Sequence, residues 1–93
     1  MALKVRWTPL ALSNLSSAFD FISNDKPEIA KAIIAKIMNS LQQLETFPES
    51  GREGQVKDTR ELIVSTTPYI VVYRLKKEQL EILAILHTSR KWP

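Results

Sequence analysis

Apolar positions in the first half of the chain recur at intervals of three and four residues, which is the period of an amphipathic α-helix. The first run predicts a helix from about residue 10 to residue 23. Thr8 suits its N-cap and Pro9 its first turn, where the missing N–H of proline is harmless. The predicted apolar stripe consists of Ala11, Leu12, Leu15, Ala18, Phe19 and Ile22.

A second run predicts a helix over residues 26–46, introduced by Asp25 and Glu28 at the spacing of a capping box, with Pro27 in the first turn. Because the segment between the two runs is so short, the helices are expected to lie antiparallel as a hairpin. The core stripe of the second helix consists of Ala30, Ile34, Ile37, Leu41 and Leu44, and it is widened by Ile29, Ile33 and Met38.

The last third of the chain changes to short runs rich in β-branched and aromatic residues, which favour strands. These runs span residues 60–64, 69–75 and 80–86, and turn-forming segments separate them, so an antiparallel meander is predicted. The last two runs are apolar at almost every position, which predicts central strands covered on both faces.

Strict alternation assigns the side chains of these strands to faces. It places Tyr69, Val71 and Tyr73 opposite Ile70, Val72 and Arg74 on one strand. On the next strand it places Leu80, Ile82, Ala84 and Leu86 opposite Leu83 and Ile85. At the N-terminus, Leu3, Val5 and Trp7 alternate with charged residues and predict a further half-buried strand.

Both glycines, Gly51 and Gly54, fall in residues 47–54, which are predicted to form a loop with the glycines as turn residues. The predicted fold is therefore α+β, in the order β-α-α-β-β-β. An N-terminal strand and an antiparallel helical hairpin pack on a small, mainly antiparallel four-stranded sheet, all in a single domain of residues 1–93. The sheet face that the helices leave open is expected to be shallow, apolar in the middle and basic at its ends.

Composition restricts the chemistry that the chain can perform. The 93 residues include no cysteine and one histidine, which excludes disulfides and thiolate catalysis and argues against a zinc site, so no metal and no cofactor are expected. No apolar run approaches the roughly 20 residues of a membrane span, and the charged N-terminus does not resemble a signal peptide. We therefore expect a soluble, cytoplasmic protein without a membrane partner.

The net charge of +3 is unevenly distributed along the chain. Residues 1–51 carry five basic and five acidic side chains, whereas residues 52–93 carry eight basic and five acidic ones. The excess positive charge thus lies in the strand-rich half. It indicates either an acidic or polyanionic partner for the sheet or simply a solvated surface with a lysine surplus.

His87, Arg90, Arg74 and Arg60 are the candidates for catalysis. In a metal-free nuclease a histidine can act as general acid and an arginine can stabilise the charge that develops on a phosphate. The structural alternative is that His87 merely caps the last strand and that Arg60–Glu61 pairs across neighbouring strands. Trp92 either stacks on a base or partner or packs the tail onto the helices, and Tyr69 and Tyr73 fit core packing.

Several segments together resemble the RelE/ParE superfamily of bacterial toxins from type II toxin–antitoxin modules. They are V-x-W-T-P-x-A at residues 5–11, P-E-x-A at 27–30, F-P-E-S-G-R at 47–52, T-R-E-L at 59–62, P-Y-I-V-V-Y-R at 68–74 and I-L-A-I-L-H-T-S-R-K-W-P at 82–93. The resemblance implies a helical hairpin on a small antiparallel sheet, in agreement with the fold predicted from the residue pattern.

The resemblance also implies one of two activities. RelE-like members cleave mRNA on the ribosome without a metal, whereas ParE-like members inhibit DNA gyrase. The nucleases typically carry an arginine where this chain has Ile70 and a tyrosine near the place of Trp92, while the I-L-H run at residues 85–87 is similar to ParE-like sequences. The ParE-like branch is therefore favoured, with the RelE-like nuclease as the alternative.

A third interpretation is a diverged, non-toxic member that only binds the antitoxin. In all three cases the resemblance implies a cognate antitoxin whose C-terminal segment lies on the exposed apolar surface and offsets the positive charge with acidic residues. The further partner is DNA gyrase or, in the alternative, the ribosome and mRNA. The residues expected to contact partners are Arg60, Glu61, Tyr73, Arg74, His87, Arg90, Lys91 and Trp92.

Overall fold

Two helices and five strands occur in residues 3–90, the part of the chain that the computed structural model describes. In chain order they are β1 (Lys4–Trp7), α1 (Pro9–Ser23), α2 (Pro27–Thr46), β2 (Arg52–Glu53), β3 (Arg60–Ile63), β4 (Tyr69–Lys76) and β5 (Gln79–His87). The strands form one sheet in the order β1-β5-β4-β3-β2, in which β1 runs parallel to β5 and every other pair is antiparallel. The α+β class is confirmed. The strand count of four was wrong, because β2 forms within the predicted loop at residues 47–54.

The predicted N-cap is confirmed for α1 and wrong for α2. Thr8 is the N-cap of α1, as predicted: its Oγ1 accepts a hydrogen bond from the N–H of Ala11 at 3.2 Å and donates one to the carbonyl of Ile82 at 2.8 Å. The capping box predicted for α2 is wrong, because the N-cap is Lys26 and no side chain caps the helix. Pro27 takes the first helical position, which fixes the cap at the residue before it and leaves Asp25 in the turn.

One face of the sheet packs against the helical hairpin and forms the main core. Helix residues in this core are joined by alternate residues of the central strands, and the fully or almost fully buried set is Ala11, Ala18, Ile37, Leu41, Leu44, Val64, Tyr69, Val71, Tyr73, Leu80, Ile82 and Ile85. The predicted helix stripes were too wide, because Leu12, Ile29 and Met38 are 52%, 46% and 43% exposed. A hairpin that covers a single sheet face buries only the narrower centre of each stripe.

A β-bulge interrupts the alternation of side chains in β5. Val72 pairs with Ala84 and Tyr73 pairs with Ile82, so Leu83 is an extra residue between the two rows. The extra residue shifts the phase of the strand, since two residues on one strand then face one on the other. The predicted face assignment of β5 is therefore wrong: Leu80, Ile82 and Ile85 enter the main core, whereas Ala84 and Leu86 lie with Ile70, Val72 and Leu83 on the opposite face.

The glycines of the β2 region are required for space rather than for turn formation. Within residues 3–90 no glycine has a positive φ angle. Gly51 is buried, and a Cβ at this position would lie 2.5 Å from the hydroxyl oxygen of Tyr73. At Gly54 an added Cβ would collide with Thr59. Both glycines lie in the loop segments that flank β2, but neither supplies a left-handed turn conformation; each allows close approach of the chain to a buried side chain.

Neither helix within residues 3–90 is long and apolar enough to cross a membrane.

Candidate functional site

Among the candidate side chains, Arg60, Tyr73 and His87 lie on the helix-covered side of the sheet, in register with the core tyrosines. Glu61 and Arg74 lie on the face that the helices leave uncovered, called the open face below. Its centre is apolar and closely packed, because Ile70, Val72 and Ala84 are buried by their neighbours. Within the described residues, one large apolar side chain on the open face, Ile63, is strongly exposed. Most of the other exposed apolar side chains lie on the helices. Those on the helices are Leu10, Leu12, Phe19, Phe21, Ile29 and Met38.

At one end of the open face a single buried carboxylate joins three strands. Glu81 of β5 accepts a hydrogen bond from Nη1 of Arg6 on β1 at 2.9 Å and from Nε of Arg74 on β4 at 2.6 Å. The side chain of Glu81 is 5% exposed, while those of Arg6 and Arg74 are 63% and 41% exposed. The hydrogen bond from Arg74, together with the charges of Arg74, Arg6 and Lys76, holds the pKa of the Glu81 carboxyl below its ordinary value, although burial opposes this.

Arg60 and Glu61 make separate contacts rather than pairing with each other. The guanidinium of Arg60 donates to the carbonyls of Gly51 at 2.8 Å and Glu49 at 3.3 Å. Glu61 instead pairs with Arg52 of β2 at 3.0 Å. The predicted pairing across neighbouring strands therefore holds for Glu61 and not for Arg60, and the two contacts are separate since neighbouring residues of a strand point to opposite faces.

Tyr73 lies wholly inside the core and is fully buried. Its hydroxyl donates to the carbonyl of Pro48 at 2.7 Å and accepts from the N–H of Gly51 at 2.9 Å. Burial raises the pKa of the Tyr73 phenol above its ordinary value, and the hydrogen bond from Gly51 only partly opposes this. Tyr73 consequently has no surface with which to contact a partner, which corrects its place among the predicted binding residues.

His87 and Arg90 lie together at the opposite end of β5. They line a cleft of about 470 Å³ with Phe21, Tyr69 and other residues of α1 and β5. Nδ1 of His87 accepts the N–H of Ser89 at 3.2 Å and lies 2.9 Å from its hydroxyl, and the ring meets Tyr69 edge-on at 5.6 Å. An Nδ1 that accepts an N–H leaves the proton of the neutral ring on Nε2.

The four predicted catalytic residues divide into two pairs. Arg60 and Arg74 line one cleft of about 630 Å³ near β2. His87 and Arg90 line the other, and His87 pairs with Tyr69, five residues along β4 from Arg74. Five residues of strand correspond to roughly 17 Å, which is too far for the pairs to act on one phosphate. Lys91 and Trp92 lie outside the described residues.

Sequence reasoning missed Lys4, Arg6, Arg52 and Glu81 as part of this surface. A signal for Glu81 was available, because a lone carboxylate within an apolar strand indicates a buried ion pair. Lys4 and Arg6 are the charged residues that alternate with apolar ones in the predicted half-buried strand, yet their position beside Arg74 depends on the parallel pairing of β1 with β5. Residues 3–90 contain no group of acidic or histidine side chains able to hold a metal ion.

Solved structures share this fold. A chain of the chromosomal ParDE toxin–antitoxin system from P. aeruginosa superimposes with a TM-score of 0.83 at 24% identity, over 92% of this chain and 96% of that one. The YoeB dimer from Staphylococcus aureus follows with a TM-score of 0.62 at 11% identity, over 90% of this chain and 94% of that one. What these structures share with the chain is the fold, a helical hairpin on a small sheet, as the sequence resemblance implied.

Sequence relatives define the family more narrowly. The protein named "Putative toxin Y4kP" from Sinorhizobium fredii is 38% identical over 90 residues, covering 97% of this chain and 93% of the relative. Toxin RelE2 from Caulobacter vibrioides is 30% identical over 87 residues, covering 94% and 97%. Residues 5–92 match the family described as the ParE toxin of the type II toxin–antitoxin system, parDE. The chain belongs to this ParE toxin family and is a toxin of a type II toxin–antitoxin system.

Proposed function

We propose that this toxin arrests growth by binding DNA gyrase through a protein–protein surface, without a catalytic step of its own. The main support is the division of the candidate catalytic residues between two ends of the sheet. His87 and Arg90 line one cleft and Arg60 and Arg74 another, so the four do not surround a common phosphate. Nuclease chemistry needs the proton donor and the charge-stabilising groups within hydrogen-bonding reach of the same reacting atoms.

The position of Ile70 supports the same proposal. The resemblance places the catalytic arginine of RelE-like nucleases at this position, and here an apolar side chain is packed between Val72 and Ala84, 8% exposed. Arg60 also differs from what a catalytic role requires, because its guanidinium donates hydrogen bonds to the carbonyls of Glu49 and Gly51. Arg60 therefore acts as a positioning residue for the segment before β2.

A gyrase assay tests the proposal directly. Relaxed plasmid, DNA gyrase and ATP are incubated with increasing amounts of purified toxin, and half of each reaction is denatured with detergent and protease. We expect supercoiling to stop and linear plasmid to accumulate in the denatured half. Topoisomerase I with the same plasmid is the control enzyme and is expected to be unaffected. Full supercoiling at a large molar excess of folded toxin would contradict the proposal.

The alternative function is ribosome-dependent cleavage of mRNA, and the observation that favours it is the shared cleft of His87 and Arg90. Primer extension on mRNA from an in vitro translation reaction separates the two functions. The nuclease predicts cuts at ribosome-occupied codons that His87→Ala and Arg90→Ala each abolish. Lys31→Ala, an exposed position on α2, serves as the matched control. Intact mRNA with normal protein yield rules out this alternative.

The proposal includes a cognate antitoxin as the constant partner. The apolar surface of the toxin that contacts the antitoxin is on the helical layer rather than at the centre of the open face. The reason is that the strongly exposed apolar side chains include Phe21, at 79%, and Leu10 and Leu12 of α1. Phe21→Ser is expected to weaken antitoxin binding by more than tenfold in calorimetric titration while leaving the fold intact. Glu28→Ser, an exposed position on α2, is the control.

A further inference from the structure

Four basic side chains surround one carboxylate at the end of the open face where β1, β5 and β4 meet. In one row Arg6 pairs with Glu81 and Glu81 with Arg74; in the next row Lys4 pairs with Gln79 and Gln79 with Lys76. We call these four residues, Lys4, Arg6, Arg74 and Lys76, the basic quartet. Residues two apart on a strand point to the same face, so both rows lie on the open face.

The dimensions of the basic quartet follow from sheet geometry. Each row spans two strand spacings, about 10 Å, and the two rows are about 7 Å apart. Four cations and one carboxylate give a formal charge of +3, which equals the net charge of the whole chain. The adjoining turn residues, Lys77 and Glu78, cancel each other. The excess positive charge of the protein is therefore concentrated at one end of one face.

Glu81 holds this cluster in a defined arrangement, which distinguishes it from a group of independent surface cations. Its buried carboxylate takes one N–H from each arginine, so the guanidiniums are held in place while 63% of the Arg6 side chain and 41% of the Arg74 side chain remain exposed. Nε and Nη2 of Arg6 and both terminal nitrogens of Arg74 are left to donate to a ligand. An adjoining cleft of about 980 Å³ is lined by three members of the quartet, Lys4, Arg6 and Lys76.

We infer that the basic quartet binds the phosphodiester backbone of a nucleic acid without reading its sequence. Guanidiniums donate in pairs to phosphate oxygens, and lysines add point charge around them. The cations are spread over a flat area of about 10 by 7 Å, which suits a row of backbone phosphates better than one small anion. This site lies at the opposite end of β5 from the cleft of His87 and Arg90, and its assignment holds whichever cellular target the toxin has.

Fluorescence anisotropy with two labelled probes tests the inference on the full-length protein. The probes are a 20-base-pair duplex DNA of mixed sequence and a 20-nucleotide single-stranded RNA, so the arms distinguish the source of the phosphates. With three to four phosphate contacts, affinity for duplex DNA is expected to fall by about 40- to 150-fold between 50 and 200 mM salt. A labelled poly-glutamate of the same length tests for an acidic protein partner instead.

Paired substitutions give the site-specific readout. Lys4→Gln with Arg6→Gln is expected to weaken nucleic-acid binding by about 25- to 100-fold near 0.1 M salt, since each phosphate contact contributes about five- to tenfold there. The slope of log affinity against log salt should also decrease by about two. Lys26→Gln with Lys31→Gln makes the same change in net charge at exposed positions of the helical layer, and binding should be nearly unchanged.

Three results would overturn the inference. The first is the absence of binding to either nucleic acid at 50 mM salt. The second is an equal loss of affinity in the helical control pair, which would show a diffuse charge effect. The third is tighter binding of poly-glutamate than of both nucleic acids, which would assign the quartet to an acidic protein. Circular dichroism of each variant verifies that the fold is retained, and Lys4→Arg with Arg6→Lys should restore binding.

Discussion

At the scale of single residues, Gly51 and Tyr73 determine how the segment before β2 attaches to the core. A Cβ at position 51 would lie 2.5 Å from the Tyr73 hydroxyl oxygen and 3.0 Å from the Glu61 carbonyl. We expect Gly51→Ala to lower the free energy of unfolding by about 1–3 kcal/mol through overpacking. Urea denaturation measures the loss.

A double-mutant cycle isolates the cause of that loss. Tyr73→Phe alone leaves the Gly51 N–H and the Pro48 carbonyl without their partner and should cost about 1–3 kcal/mol. Combining Tyr73→Phe with Gly51→Ala removes the oxygen nearest to the added methyl group, so the double variant should lose less than the sum of the single losses, by about 0.5–2 kcal/mol. Simple additivity would show that the close approach is not responsible.

Lys77 is a second residue under local constraint, because its φ angle is +57° in the turn between β4 and β5. A side chain in this region costs roughly 1–2 kcal/mol relative to glycine, and the greater entropy of glycine in the unfolded chain offsets part of the gain. Lys77→Gly is therefore expected to stabilise the protein by about 0.5–1 kcal/mol. The matched control is Glu78→Gly, whose φ is not positive and which should destabilise by a similar amount. Thermal denaturation of both variants gives the comparison, and equal signs would contradict it.

At the scale of secondary-structure elements, the bulge at Leu83 decides which side chains of β5 support the core. Ile85 is 3% exposed in the main core, whereas Leu86 is partly exposed on the open face. We expect Ile85→Ala to cost about 2–5 kcal/mol and Leu86→Ala less than half of that. Chemical denaturation of the two variants tests the phase of the strand. A larger loss for Leu86→Ala would indicate that the alternation is unbroken.

The ion triad that joins β1, β5 and β4 makes the sheet sensitive to acid. The pKa of Glu81 is lowered in the folded protein by its arginines, so the triad stabilises the fold above the ordinary carboxyl value of 4.5 and is lost as pH falls through the folded pKa. Glu81→Gln should be less stable than the parent at pH 7, and the two should converge as pH falls below 4.5 and through the lower pKa of Glu81 in the folded protein. Urea midpoints from pH 7 to 3 measure the difference. A gap that stays constant with pH would exclude the carboxylate as its source.

At the scale of the whole molecule, β1 forms one edge of the sheet. It pairs the N-terminal segment with β5, the last strand of the described chain. Deleting residues 1–7 would expose the edge of β5 and the core side chains Leu80 and Ile82 next to it. We expect the truncated protein to lose its cooperative unfolding transition or to associate through that edge. Circular dichroism and size-exclusion chromatography report the two outcomes, and a stable monomer with a normal transition would refute this role of β1.

The helices and central strands could be predicted because their signals are local. The cap at Thr8, the proline at position 9 and the continuous apolar runs of β4 and β5 each act within a few residues, and the structure confirms them. Predictions that assumed uninterrupted periodicity failed where tertiary contacts intervene. The bulge at Leu83 and the short strand β2 both depend on how neighbouring strands pair. The residue pattern of one strand alone does not encode that pairing.

The sequence by itself determined the α+β class, the order of the main elements and membership of the toxin superfamily, because those follow from periodicity and from segments spread over nearly the whole chain. Only the tertiary structure decided which charges act together. It separated Arg60 and Arg74 from His87 and Arg90, and it brought Lys4 and Arg6 beside Arg74 around Glu81. The physical reason is that charges interact over distance in space, and a parallel pair between the first and last strands makes neighbours of residues about 75 positions apart.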